Sequence, residues 1–242
     1  MRVGGMSRNK SAVKVAMERR YKDYSIQKSL TQSMVGEALK RLRHMIPEGP
    51  KDQVNVDETI YRTLKNAGEI EIAFDRRLKD RLKVILAIDN GGWSMDPHIA
   101  VVQTLFDHAR AQFKELKTFY FHNTVYDSLW AHPSRRMKPV SLSDLTRLDS
   151  DTRLIMVGDA SMAPWELVSA GGSIYYGEKN RRPSIECLRF LTRTFPHHVW
   201  LNPLPEDDWG YTRTVIEIAK IFPMFELTLD GLEKAVARLM AR

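Results

Sequence analysis

The sequence predicts an α/β chain: a doubly wound, mainly parallel sheet with one antiparallel edge strand, preceded by a small helical segment. Three observations carry this expectation. The unbroken apolar runs Val84–Ile88 and Leu154–Val157 have the composition of strands buried on both faces. From Lys83 onward such runs alternate with amphipathic stretches at helical spacing, which implies crossover connections between parallel neighbours. Lys117–Phe121 and Val125–Trp130, by contrast, are joined tightly across His122-Asn123-Thr124 and must run antiparallel.

Each element has its own signal. Residues 33–46 place Val35, Ala38, Leu39, Leu42, Met45 and Ile46 on one helical face, and Pro47-Glu48-Gly49-Pro50 ends that pattern. Asp57 is expected to cap a second helix carrying Ile60, Leu64 and Ala67, stopped at Gly68, with Glu69–Phe74 strand-like after it. Residues 31–78 therefore read as a helical pair, and 79–242 as the α/β domain. After strand 84–88, Asp96 and Pro97 are expected to open a helix to about Phe113. Arg153–Gly158 is the next buried strand, with a short helix from Pro164 and a polar loop from Gly171 to Arg182. Ile185 to Phe195 then reads as a helix, His198–Leu201 as a strand, Tyr211–Ile221 as a helix and Phe222–Leu227 as a strand. Asp230 and Glu233 form a capping-box variant for the last helix.

Composition narrows the setting. The chain has 242 residues, 43% of them apolar, enough for one substantial core. A single cysteine, Cys187, excludes a disulfide framework and points to a reducing compartment. No apolar run approaches the roughly 20 residues that span a bilayer, and the start lacks a signal-peptide pattern, so a cytoplasmic location with no membrane is expected. The net charge of +7 is uneven. Residues 1–30 hold eight basic side chains against two acidic ones, a net of +6, and read as a flexible basic leader.

Function points to residues 84–95, Val-Ile-Leu-Ala-Ile-Asp-Asn-Gly-Gly-Trp-Ser-Met. Here a buried strand delivers Asp89 onto a glycine turn, and Ser94 follows. Ligands of open α/β sheets collect beyond the carboxyl ends of strands, where these oxygens would meet a cation or phosphate. A second strand, Leu154-Ile-Met-Val-Gly-Asp159, ends the same way.

These two segments resemble von Willebrand factor A-type (VWA) domains of the bacterial CoxE-like kind, over roughly residues 79–242. In that family an Asp-x-Ser-x-Ser loop follows the first strand and a distal aspartate ends another. The resemblance implies a metal-ion-dependent adhesion site with Asp89, Ser94 and Asp159 as ligands of Mg²⁺ or Mn²⁺. Hard cations of this type favour carboxylate, hydroxyl and water oxygens. The loop departs from the motif. Counted from Asp89, the serine positions are Gly91 and Trp93; counted back from Ser94, the aspartate and first serine fall on Asn90 and Gly92. Either the loop carries one extra residue, or the site is degenerate with weak or lost metal binding. The family's threonine ligand has Thr146 or Ser143 as its nearest candidates.

What the resemblance implies is a binding module, not an enzyme: an adaptor working with a MoxR-type AAA+ ATPase and its client protein. Trp93, Asn90, His122 and Trp165 are the expected partner-binding residues, with the Tyr175-Tyr176 pair on the same rim. The alternative from another class is a nucleic-acid-associated protein acting through residues 1–28. A metal-dependent phosphotransferase is a weaker reading. The strand-end Asp89 resembles the nucleophile of haloacid-dehalogenase-type phosphatases, but Gly91 stands where their acid/base Asp would be. Cys187 lies in an apolar helical pattern and reads as a core residue.

Overall fold

The computed structural model describes residues 32–42, 45–80, 82–174, 178 and 180–241. The basic leader and the Tyr175-Tyr176 pair lie outside the described residues. The main sheet has seven strands: β3 (Lys83–Asp89), β4 (Glu115–Phe121), β5 (Ser128–Trp130), β6 (Pro139–Ser141), β7 (Arg153–Val157), β8 (His198–Asn202) and β9 (Met224–Glu226). Their order is β6-β5-β4-β3-β7-β8-β9. β3 is parallel to both neighbours, with Ile88 level with Tyr120 and with Val157. Without β6 this is the order of a doubly wound, Rossmann-like sheet, whose connections diverge between β3 and β7. The crevice of such a sheet opens at the carboxyl ends of those two strands, where Asp89 and Asp159 stand.

Burial on both faces explains the apolar runs. Val84, Leu86 and Ile88 face one layer, made by α1 (Gln32–Lys40), α3 (Ile99–Gln112) and α8 (Leu229–Met240). Ile85 and Ala87 face the other, made by α4 (Leu142–Leu145), α5 (Pro164–Val168), α6 (Ser184–Thr194) and α7 (Arg213–Ala219). Trp200 is fully buried in this second layer, edge-on to Phe121 and Phe222 at 5.8 and 5.5 Å between ring centres. Its Nε1 donates to the Gly158 carbonyl at 2.7 Å, which fixes the end of β7. Among the described residues no helix is long and apolar enough to cross a membrane.

Several expected elements differ. The antiparallel strand is shorter than expected and is not the edge: β5 joins β4 through Tyr120 and Trp130, and β6 pairs outside it. The polar loop before Pro139 hides that strand from pattern reading. Asp96 does not cap a helix that starts at Pro97, because a 3-10 turn, Trp93–His98, intervenes. Thr228, not Asp230, caps α8, its hydroxyl accepting from Gly231 N at 3.2 Å.

The lead-in is the largest departure. α1 ends at Lys40, and Met45 and Ile46 belong to a strand, β1 (Met45–Asn55), that pairs antiparallel with β2 (Ala73–Asp80). Pro47 and Pro50 sit inside β1, and the register slips between Glu48 and Gln53, as prolines in two-stranded ribbons allow. Between the strands runs α2 (Val56–Lys65), capped by Asn55 rather than Asp57: Asn55 Oδ1 accepts from Glu58 N at 2.9 Å. The helical pair is thus one helix and a helix-tipped β arm. α1 packs Val35 and Leu39 into the core, with Leu42 from the turn after it, whereas α2 buries nothing among the described residues.

Candidate functional site

Parallel pairing of β3 with β7 brings two carboxylates to one spot. Asp89 is 2% exposed and Asp159 1% exposed. Each uses Oδ1 to hold its own turn, accepting from Gly91 N at 3.0 Å and from Ser161 N at 2.9 Å respectively. In each the Oδ2 is buried and accepts no hydrogen bond from the described residues. Gly158 makes the approach feasible, since a Cβ there would lie 2.9 Å from Asp89 Cβ and 3.4 Å from Asp89 Oδ2. Burial, reinforced by the charge of Asp159, pushes the Asp89 carboxyl up to about 8, against the backbone amides of Gly91 and Asn123 and the charge of Arg135.

A second set of buried polar groups backs this pair. His122, at the end of β4, lies over Gly91, where any Cβ would overlap its ring. Arg135 reaches the same place, its guanidinium 3.0 Å from that absent Cβ. On its other side Arg135 lies 3.9 Å from Glu178, which accepts from Trp130 Nε1 at 3.0 Å. Burial and the Arg135 charge lower the basicity of His122. Glu166, buried in α5, accepts from Asn123 Nδ2 at 3.0 Å, Tyr126 Oη at 2.9 Å and Ala163 N at 3.1 Å. Asn123, Arg135 and Ala160 adopt left-handed backbone conformations, with φ of 59°, 52° and 56°. Non-glycine residues hold such conformations where surrounding structure over-determines them, often at sites.

The expected residues divide into groups. Asp89 and Asp159 meet, and His122 joins them. Asn90 closes one wall, donating from Nδ2 to the Pro133 carbonyl at 2.6 Å. Ser94 is exposed in the 3-10 turn, within the loop that starts at Asp89. Trp93 is 91% exposed, and Trp165 is exposed on α5. Both loops leave the carboxyl ends of the central strands, so the two indoles share one edge of the sheet. Thr146 and Ser143 lie beyond β6, where Thr146 Oγ1 donates to the Ser143 carbonyl at 2.7 Å, three strands from Asp89 or about 14 Å across the sheet. A cavity of about 400 Å³ opens beside Asp89, lined mainly by Ile88, Met95, Val102, Phe106 and Tyr120.

Arg135, Glu166, Asn123 and Glu178 were not anticipated. Arg135 sits in a polar stretch, Ser134-Arg135-Arg136, with the look of any solvated loop. Glu166 did carry a signal, as the third residue of a helix begun by Pro164, but that signal speaks of capping alone.

Among the described residues no group of three or more histidine, cysteine or acidic side chains is arranged to hold a metal. The two carboxylates with an unpartnered oxygen each nevertheless fit a hard cation that keeps most of its shell as water. Cys187 is buried and its thiol is pushed up to about 11 by burial, which suits a packing residue. No family model matches the chain, and neither a curated protein nor a solved structure matches it.

Proposed function

We propose that the chain is a protein-binding adaptor of the VWA type whose recognition surface is the carboxyl edge around Asp89 and Asp159. The observation that carries this reading is the pair of buried carboxylates, each with an oxygen left without a hydrogen-bond partner among the described residues. Buried polar atoms of this kind are rare and need an explanation beyond folding. Asp89 and Asp159 would hold Mg²⁺ or Mn²⁺, with Ser94 the hydroxyl ligand that the sequence resemblance implies. Such an ion supplies a Lewis-acidic point for a carboxylate oxygen of the partner. The exposed indoles of Trp93 and Trp165 on the same edge suit interface anchors, a role in which tryptophan is enriched. A MoxR-type AAA+ ATPase and its client are the partner class, and the sequence resemblance alone supports that choice.

The test is titration calorimetry with Mg²⁺ and Mn²⁺, followed by affinity capture from the native host with and without chelator. Wild type should bind the ion weakly and retain an ATPase only when metal is present. Asp89→Ala should lose both properties, and Trp93→Ala should lose the partner while keeping the ion. Binding of neither ion at several-fold above about 1 mM, free or partner-bound, removes the metal from the reading. Capture that survives both substitutions removes the edge.

A further inference from the structure

The exposed large apolar side chains of the described residues concentrate in the arm, far in sequence from the carboxyl edge. Val56, Ile60 and Leu64 follow one another at four-residue steps and share one face of α2. Ile70, Ile72 and Phe74 lead into β2. Leu64 is 76% and Ile70 79% exposed. The two rows form one patch, because Thr59 Oγ1 accepts from Ala73 N at 3.0 Å and Arg62 bonds Glu71 at 3.1 Å. Scattered apolar side chains on a surface need no explanation, but a contiguous group marks a docking surface.

Charge selects the occupant. Residues 52–75 carry six acidic side chains against two basic ones, a net of −4, and Arg62 is already engaged with Glu58 and Glu71. Two such tips facing each other would set like charges together, and an anionic membrane would be repelled. The fitting partner is apolar on one side and basic on the other. Residues 1–30 have a net charge of +6, and Val13, Ala16, Met17, Tyr21 and Tyr24 recur there at helical spacing, with Arg20 within that stripe and Arg19 and Lys22 off it. The seven residues between Tyr24 and Gln32 form a tether that extends up to about 25 Å from the start of α1.

We infer that residues 13–24 of the same chain dock on the tip of the arm. Their apolar stripe covers Ile60, Leu64 and Ile70, and their basic side chains face the acidic residues around that patch. This assignment is independent of the carboxyl edge and of any cation there.

Limited trypsin digestion of the full-length protein at low salt tests it, with cleavage at Arg19–Arg20 followed by mass spectrometry. Cleavage in wild type should be slow. In the double variant Ile60→Asp, Leu64→Asp it should be at least about tenfold faster, because proteolysis follows the population of the undocked leader. The melting temperature of the main domain should stay unchanged, since neither side chain packs into its core. Lys14→Glu with Lys22→Glu should release the leader equally from the other side, and about 0.5 M salt should do so in wild type. Equal cleavage rates in wild type and the Ile60/Leu64 variant overturn the inference. Protection that disappears on dilution, together with a dimeric mass by light scattering, also overturns it, by assigning the site to a neighbouring copy's leader.

Discussion

The carboxyl edge of the main sheet and the tip of the β arm break opposite rules. At the edge, ionisable groups are buried: Asp89, Asp159 and Glu166 are almost inaccessible, packed behind fully buried residues such as Val157 and Trp200. At the tip, apolar groups are exposed on a helix that buries nothing among the described residues. A buried carboxylate is costly wherever it sits, so it persists only where neighbours hold it or a ligand uses it. An exposed leucine costs little by itself, so the tip tolerates its patch without help from the core. Substitutions should therefore be severe at the edge and mild at the tip, which makes the contrast measurable.

The largest effect is expected at Glu166. Replacing it by Ala takes the acceptor from buried Asn123 Nδ2 and the carboxylate from Tyr126 Oη, which keeps its bond to Ser173, and should cost about 3–4 kcal/mol in urea denaturation. A loss below about 1 kcal/mol would mean that water satisfies those donors and that the edge is wetter than its packing implies.

Next comes Asp89, where the sign depends on pH. Folded Asp89 keeps its proton to about pH 8, whereas an unfolded aspartate releases it near 3.8. Between those values the folded state binds more protons, so chelator-treated protein should lose stability as pH rises from about 4 to 8 and level off above. Asp89→Asn should remove that slope, leaving the variant more stable than wild type by about 1–3 kcal/mol at pH 8.5 and little different at pH 4. Millimolar Mg²⁺ should recover the lost stability of wild type at pH 8.5, through occupancy of the folded state alone, and do nothing for the variant. Parallel denaturation curves at the two pH values decide the matter, and an unchanged slope in the variant would place the titrating group elsewhere.

Gly158 sharpens the contrast between β3 and β7. A methyl group there presses on Asp89 Cβ, so Gly158→Ala should cost about 1–2 kcal/mol and weaken cation binding as the carboxylate is displaced. At the arm, Ile60→Ala with Leu64→Ala should change the stability of the folded core by no more than about 0.5 kcal/mol. A loss of several kcal/mol there would show that the tip packs on the body more firmly than its exposure suggests.

Fold class was legible in the sequence because strands buried on both faces must be apolar throughout, and Val84–Ile88 and Leu154–Val157 are. Asp89 and Asp159 were legible as candidates because each follows an apolar run at the carboxyl end of a strand, where ligands of such sheets collect. The arm was not legible. Met45 and Ile46 extend the helical stripe of residues 35–42, and although Pro47 disfavours a helical Ile46, a strand there is decided by pairing with Lys79 and Asp80. Ile60 and Leu64 likewise look like a core face, and only the absence of any described element against them shows otherwise. The surroundings of the carboxylates belong to tertiary structure alone. Arg135, Glu166 and Glu178 come from three separate loops and helices. Their charges matter because packing brings them into a low-dielectric space, a circumstance that local pattern does not record. Periodicity by itself determined the central strands β3 and β7 and the carboxylates that follow them. Packing decided which polar groups share those ends, because burial, not sequence neighbourhood, sets the strength of their interactions.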